Sequence, residues 1–255
     1  MDSLKEAIVL AGGLGTRLRA AVPAYPKVLA PVAGRPFLAY LLQYLTREGV
    51  QRVILALGHR SEEVLLWLAS QSWDIEIVPI VESAPLGTGG GLVYAWKSSR
   101  AHNNLEGKRE GMPTSAAVSA TTIAFLNGDT FFPVSLQPFL SFHRRIGTPI
   151  TVGLAHVSPA DRYGVVEVEG DKVKAFREKE YRPSGWIYGG IALVEIDWWE
   201  SQTWPERFSW EEFLMQNVPP LSVGAFLAEG VPFIDIGVPS DYERAQTLVP
   251  KYAVF

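Results

Sequence analysis

The chain alternates short apolar segments with amphipathic ones, and this order constrains its fold more than any other feature. Residues 7–11 are a continuous apolar run bounded by charge and glycine, which is typical of a strand buried on both faces. A helix is predicted over 37–48 and a strand over 52–57, and further strands over 75–81 and 121–126. The alternation predicts an α/β fold with a doubly wound, mostly parallel, Rossmann-like mixed sheet, whose ligands bind where strands end.

The second half of the chain has a different pattern. After residue 145, short segments alternate polar and apolar residues; they are 151–156, 164–169 and 173–178. They predict a small antiparallel β elaboration that covers one side of the sheet. Residues 97–120 are polar and follow neither hydrophobic period, so a mobile surface insertion is expected there. We expect one domain over 1–255, with parts at about 1–145 and about 146–240.

Composition excludes several classes of protein. The 255 residues carry 23 Lys and Arg against 27 Asp and Glu, a net charge of −4 that disfavours a nucleic acid or an anionic membrane as partner. The chain has no Cys, which excludes disulfides and thiolate metal sites and fits a cytoplasmic location. No apolar run is long enough to span a membrane.

A glycine loop follows the first predicted strand. Gly12, Gly13 and Gly15 expose backbone N–H groups before a predicted helix, an arrangement that suits a phosphate chain. A tight turn alone would explain one or two of these glycines. Leu18 replaces the third glycine of the dinucleotide-binding loop, and no Gly-Lys-Ser/Thr follows, so neither of those two phosphate loops is present.

Six motifs in order carry a family resemblance. They are AGGLGTRL at 11–18, PKVLAPVAGRP at 26–36, ESAPLGTGG at 82–90, LNGD at 126–129, REK at 177–179 and FIDIG at 233–237. The chain resembles the sugar-1-phosphate nucleotidyltransferases, or nucleotide-sugar pyrophosphorylases, except in 97–120 and parts of 198–228. The resemblance implies Mg²⁺-dependent transfer of a nucleoside monophosphate to a sugar 1-phosphate, with residues about 1–145 binding nucleotide and about 146–240 binding sugar phosphate.

Four residues are expected to carry the chemistry. Arg17 and Lys27 suit the triphosphate oxygens and the leaving pyrophosphate. Asp129 and Asp235 each follow an apolar segment, and together they could hold Mg²⁺. A lone Asp more often serves a turn or a strand end, but the resemblance at both positions favours the metal role. No general base is needed, because the attacking phosphate oxygen is already anionic.

The resemblance also implies two sets of binding residues. The nucleotide set is Leu10, Ala11, Gly12, Gly13, Gly15, Thr16, Arg17, Glu82, Gly87 and Thr88. The sugar-phosphate set is Gly164, Glu178, Lys179 and Gly190. Within it, Lys179 would hold the attacking phosphate and Glu178 a sugar hydroxyl, whereas the residues alone also fit a solvated charge cluster. Tyr188 stands where many relatives have Asn, so the sugar stays open.

Glu82 is the most informative residue for the base. Uridylyl- and thymidylyltransferases of this kind usually have glutamine there, whereas a carboxylate only accepts hydrogen bonds. Guanine offers two adjacent donors, N1–H and N2–H, so Glu82 favours GTP. Together with residues 85–90, Glu82 resembles the same segment of heptose-1-phosphate and mannose-1-phosphate guanylyltransferases. Transfer from UTP, CTP or dTTP is the first alternative. A catalytically silent nucleotide-sugar sensor is the second, and a homo-oligomer is compatible with either.

Two other features are expected to be structural. His59 follows a predicted strand without metal-ligand spacing, so a role in the loop is favoured. The group Trp198, Trp199, Trp204 and Trp210 is expected to pack in the core or at a subunit contact.

Overall fold

The computed structural model describes residues 3–13, 15, 18, 22, 24–106, 121–160, 162–178 and 180–252. Its strands are β1 (Glu6–Leu10), β2 (Pro31–Val32), β3 (Arg35–Pro36), β4 (Arg52–Leu57), β5 (Glu76–Val81), β6 (Thr122–Asn127), β7 (Thr130–Phe131), β8 (Ile150–Val157), β9 (Val166–Glu169), β10 (Lys172–Phe176), β11 (Gly185–Glu195), β12 (Val223–Ala228) and β13 (Ile234–Asp235). Its helices are α1 (Phe37–Arg47), α2 (Ser61–Ala69), α3 (Gly87–Glu106), α4 (Leu136–Ile146), α5 (Ile196–Ser201), α6 (Trp210–Asn217) and α7 (Pro239–Tyr252).

One large mixed sheet organises the molecule. Its nine strands lie in the order β5-β4-β1-β6-β11-β8-β12-β10-β9. Strands β10 and β11 run opposite to the others, so the sheet is mostly parallel, as predicted. The predicted cover over one side of the sheet is wrong, because β8 to β12 extend the same sheet. Strand β8 is buried along residues 150–155 and pairs on both edges, so it needs helices on both faces.

Helices cover both faces of this sheet. Along β1, Ala7 and Val9 join a buried cluster with apolar residues of α1, α2, α4 and α7. The intervening Ile8 joins a second cluster with residues of α3, α5 and α6. Successive side chains of a strand point to opposite faces, so the two clusters are the two faces of a doubly wound fold. Among the described helices, none is both long and apolar enough to cross a membrane.

Helix α3 corrects the expected start of the insertion. It continues to Glu106, so residues 97–106 are helical rather than loop, and residues 107–120 lie outside the described part. The buried Ser99 donates to the Trp96 carbonyl at 2.8 Å. The guanidinium of Arg100 pairs with Glu6 at 2.5 Å and lies 3.9 Å from the Trp96 ring centroid. These polar contacts hold the helix at residues 99 and 100, where its sequence departs from an apolar period.

The parallel strands end together at one edge of the sheet. The N–H of Ala11 donates to Ala56 O at 2.7 Å, and the N–H of Gly128 donates to Leu10 O at 2.8 Å. A Cβ at Gly128 would lie 2.5 Å from Leu10 O, so only glycine allows this approach. The loops after β1, β4, β5 and β6 are thereby gathered around one cleft.

Candidate active site

A cleft of about 630 Å³ opens where these strands end. Ten residues of the predicted catalytic and nucleotide-binding sets line it: Leu10, Ala11, Gly12, Gly13, Lys27, Glu82, Gly87, Thr88, Asp129 and Asp235. Positions far apart in the chain therefore meet, as expected of an α/β sheet with ligands at its strand ends.

Lys27 lies between two carboxylates at one end of the cleft. Its Nζ is 2.5 Å from Oδ2 of Asp129 and 3.5 Å from Oδ1 of Asp235. It begins a 3-10 turn at Lys27–Leu29, and its Cβ would lie 3.0 Å from a Cβ at Gly15. Gly15 has φ +59°, so glycine there serves both the turn and the close approach of Lys27.

A two-strand ribbon brings the carboxylates together. Strands β7 and β13 pair Thr130 with Asp235, and the N–H of Ile236 donates to Asp129 O at 3.0 Å. The N–H of Gly237 donates to Oδ1 of Asp235 at 2.7 Å and orients that carboxylate. The ribbon thus fixes two acidic side chains that are 106 positions apart in the printed sequence.

Electrostatics at this end favour a bound cation. Burial raises the pKa of Asp235, and so does the charge of Asp129, while Lys27 opposes both. No group of three or more His, Asp or Glu with metal-ligand geometry occurs in the described residues. Two carboxylates completed by substrate phosphates are nonetheless a usual donor set for a hard divalent cation. Asp129 and Asp235 fit that role.

Glu82 forms the other end of the cleft, because it follows β5, which lies three strands across the sheet from β6, the strand before Asp129. Its N–H donates to Leu57 O at 2.9 Å and continues the pairing of β5 with β4. Its Oε2 accepts the N–H of Leu86 at 3.4 Å. Its Oε1 lies 2.7 Å from where a Cβ at Gly58 would be, so glycine at 58 makes room for the carboxylate. Burial raises the pKa of Glu82, and the Leu86 N–H partly opposes that shift.

The glycines around Gly87 accommodate a neighbouring segment. Gly87 has φ +75°, and a Cβ there would lie 2.5 Å from Phe208 O. That carbonyl accepts the N–H groups of Gly89 at 3.0 Å and Gly90 at 3.3 Å, at the start of α3. A Cβ at Gly89 would overlap the Phe208 ring at 2.2 Å. The glycine run therefore lets residues 206–210 pack on the first turn of α3.

Thr88 connects α3 to α6. Its Oγ1 donates to Oε2 of Glu211 at 2.7 Å and accepts the N–H of Trp210 at 2.8 Å. Its hydroxyl is thus engaged within the protein, although Thr88 lines the cleft.

The predicted sugar-phosphate residues lie apart from the described lining of the cleft. A Cβ at Gly164 would lie 2.6 Å from Arg177 O, so this glycine allows two chain segments to touch. Gly190 has φ +73° and packs against the side chain of Asn127, which does line the cleft. Glu178 is exposed just beyond β10. The structure brings only Gly190 next to a cleft residue, and the roles of all three stay predictions.

Three predicted residues lie outside the described part of the chain. They are Thr16, Arg17 and Lys179. Their roles stay predictions.

Several cleft residues were not in the predicted set. Among them are His59, Tyr94, Asn127, Thr130 and Glu211. His59 and Asn127 lie at strand ends, where a search by position would have found them. Tyr94 and Glu211 lie on helices, and their patterns give no such signal. Trp199 and Trp210 are buried, which confirms core packing for these two.

A glycine loop, a lysine and paired carboxylates at the strand ends define an enzyme site for transfer of a phosphorus-containing group. The family model described as Nucleotidyl transferase matches residues 6–191, and the chain belongs to this family. It is therefore a nucleotidyltransferase, and the predicted resemblance to sugar-1-phosphate nucleotidyltransferases is confirmed.

Named relatives cover nearly the whole chain. The D-glycero-alpha-D-manno-heptose 1-phosphate guanylyltransferase of Aneurinibacillus thermoaerophilus is 33% identical over 97% of this chain and 99% of its own length. The Campylobacter jejuni protein of the same name is 36% identical over 93% and 96%. The crystal structure of HddC from Yersinia pseudotuberculosis complexed with GMP-PN gives a TM-score of 0.77 at 27% identity, covering 95% of this chain and 98% of HddC.

Proposed function

We propose that this enzyme transfers GMP from GTP to a heptose or hexose 1-phosphate, with Mg²⁺ as cofactor and pyrophosphate as second product. The observation that carries the choice of GTP is the half-buried carboxylate of Glu82 at the end of the cleft opposite Lys27. The guanylyltransferase names of the relatives support it. The absence of cysteine agrees with a cytoplasmic location.

The charged end serves the reaction at phosphorus. An oxygen of the sugar phosphate attacks the α-phosphorus of the triphosphate, and the bond to pyrophosphate breaks. Asp129 and Asp235 would hold Mg²⁺, which supplies positive charge to the phosphate oxygens. Lys27 is anchored within 3.5 Å of both carboxylates, so its ammonium is placed to donate to the same oxygens. The attacking oxygen is already ionised, so these residues need to position and neutralise rather than remove a proton.

The other end selects the base. An ionised Glu82 presents two acceptor oxygens, which match the N1–H and N2–H donors of guanine. Uracil would place a carbonyl acceptor against one of them, and two facing acceptors repel. The space at Gly58 lets the Glu82 carboxylate lie at the wall of the cleft, where a base edge can reach it.

Pyrophosphate release tests the proposal directly. The enzyme is assayed with Mg²⁺ and each of GTP, UTP, CTP, ATP and dTTP against a panel of heptose and hexose 1-phosphates. Release with GTP alone supports the proposal and identifies the sugar. Release with another nucleotide contradicts the role of Glu82, and release with none supports the silent sensor.

A single substitution tests whether Glu82 selects the base. Glu82→Gln should lower the preference for GTP over UTP by about tenfold or more, because one acceptor oxygen becomes a donor. The matched control is Glu62→Gln, an exposed residue of α2 outside the cleft lining. An unchanged preference in Glu82→Gln would refute base selection by this carboxylate.

A further inference from the structure

Glu211 places a further carboxylate in the cleft. It lies in the first turn of α6 and lines the cleft beside Thr88. Its Oε2 accepts from Thr88 Oγ1 at 2.7 Å and from Ser209 Oγ at 3.1 Å. Its other oxygen, Oε1, has no hydrogen-bond partner within the part of the chain that the structure describes.

The carboxylate is held by rigid surroundings. Ser209 caps α6 by accepting the N–H of Glu212 at 3.2 Å. The neighbouring Trp210 is fully buried, with its ring against Phe125, and its backbone N–H donates to Thr88 Oγ1. Two hydroxyl donors and a buried anchor therefore fix Glu211 before any substrate binds, which is what a recognition residue needs.

Charge decides which part of a substrate this carboxylate can face. It would repel phosphate oxygens, whose place is at the Lys27 end of the cleft. The Glu82 end is the one assigned to the base. Burial, and to a smaller degree the charge of Glu211, raise the pKa of Tyr188 on β11. The parts that remain are the hydroxyl-bearing rings, the ribose and the sugar.

We propose that Glu211 recognises a substrate ring by accepting hydrogen bonds from its hydroxyl groups through Oε1, with Thr88 as the residue that positions it. This inference rests on the proposed sugar-1-phosphate transfer. It gives the Thr88 hydroxyl a function through Glu211, and it adds a specificity residue from the second half of the chain.

The competing explanation is a purely structural one. An acidic residue in the first turn stabilises a helix through the backbone dipole, and Glu211 also joins α6 to α3. Glu212 occupies the next position of the same turn, is exposed and does not line the cleft. Glu212→Gln is therefore the matched control, because it removes the same charge from the same helix end.

The test compares hydroxyl recognition in two arms. Wild type, Glu211→Gln and Glu212→Gln are assayed with 2′-deoxy-GTP and 3′-deoxy-GTP in one arm. The other arm uses singly deoxygenated forms of the accepted sugar 1-phosphate. Wild type should prefer the hydroxyl-bearing substrate by about tenfold or more in one arm, and Glu211→Gln should lose most of that preference in the same arm. The affected arm shows whether the ring is the ribose or the sugar.

Thr88→Val provides a second variant and separates positioning from contact. It should reduce the same preference as Glu211→Gln, but less, because the acceptor remains and only its anchor is lost. Thermal unfolding of all variants shows whether the α3 to α6 junction is intact.

Three results would overturn the inference. They are wild-type preferences retained in Glu211→Gln, an equal loss with every substrate, and a loss matched by Glu212→Gln. In each case the rate with the hydroxyl-bearing substrate is divided by the rate with its deoxy form, using whichever nucleotide the wild type accepts. A failure of GTP as substrate is therefore detected separately from a failure of hydroxyl recognition. A wild-type enzyme that releases no pyrophosphate with any pair would refute the proposed function itself.

Discussion

The two ends of the cleft differ in how their charged side chains are paired. At one end Lys27 lies within 3.5 Å of Asp129 and Asp235, so one ammonium partly offsets two carboxylates before substrate binds. At the other end Glu82 is half-buried beside Gly58, and its hydrogen bond from the Leu86 N–H is long, at 3.4 Å. The first end has two carboxylates against one ammonium and so keeps negative charge for a cation, whereas the second has acceptor capacity left for a ligand.

From this difference we expect the Lys27 end to control the rate of transfer and the Glu82 end to select the nucleotide. Phosphates are common to all nucleoside triphosphates, so changes at the Lys27 end should slow every nucleotide alike. Base edges differ, so changes at the Glu82 end should alter the ratio between nucleotides. A variant that breaks this division would show that the two ends are coupled.

Lys27→Met should have the largest effect. Removal of the ammonium leaves the developing charge without its donor, and kcat should fall about 10³-fold with every nucleotide. The ratio of GTP to UTP turnover should stay unchanged. Steady-state assays with both nucleotides measure this, and Lys172→Met, at an exposed position of β10, is the control. A change in the ratio would contradict the division between the two ends.

Asp235→Asn should have the second largest effect and lower kcat by about 10²-fold. An asparagine oxygen can still accept the N–H of Gly237, so the loop should keep its shape while the charge is lost. The Mg²⁺ concentration that gives half the maximal rate should rise. Rates measured over a Mg²⁺ series check this, with the exposed Asp197→Asn as control. An unchanged Mg²⁺ dependence would argue against Asp235 as a ligand.

The sequence predicts the charged end better than the contacts that build it. Lys27, Asp129 and Asp235 stand in motifs next to apolar segments, so type and position both pointed to them. The ribbon of β7 and β13 that brings the two carboxylates together has two residues per strand, too few to show any period. Its pairing is non-local and depends on the completed sheet.

Two other differences have similar physical causes. The segments that form β8 to β10 were predicted as strands, but a strand's pattern does not tell which sheet it joins. The sequence predicts an insertion at the end of α3, because the segment lacks an apolar helical stripe. In the structure Arg100 is held there by contacts with Glu6 and Trp96. Glu211 reaches the cleft through its bond with Thr88, which only the folded chain brings within reach.

Gly58→Ala should change selection by about tenfold, less than the effects at the charged end. The added methyl would lie 2.7 Å from Oε1 of Glu82 and 3.0 Å from Gly12 O, so the carboxylate must move. The preference for GTP over UTP should fall. If the methyl acts through Glu82, Gly58→Ala adds nothing in the Glu82→Gln background. An additive double variant would show that the glycine matters for another reason.

The smallest expected effect is a pH dependence of base selection. Burial raises the pKa of Glu82 and the Leu86 N–H only partly opposes this, so the carboxyl takes up a proton at a higher pH than an ordinary Glu. A protonated carboxyl donates as well as accepts, which weakens its match to guanine and relieves its conflict with uracil. Acidification from about pH 8 to about pH 5 should therefore lower the ratio of kcat/KM for GTP to that for UTP, by a few-fold. Titration of the sugar phosphate and of Asp235 affects both nucleotides and cancels in the ratio. Glu82→Gln should give a flat ratio over the same range, whereas a slope retained in that variant would assign the titration to another group.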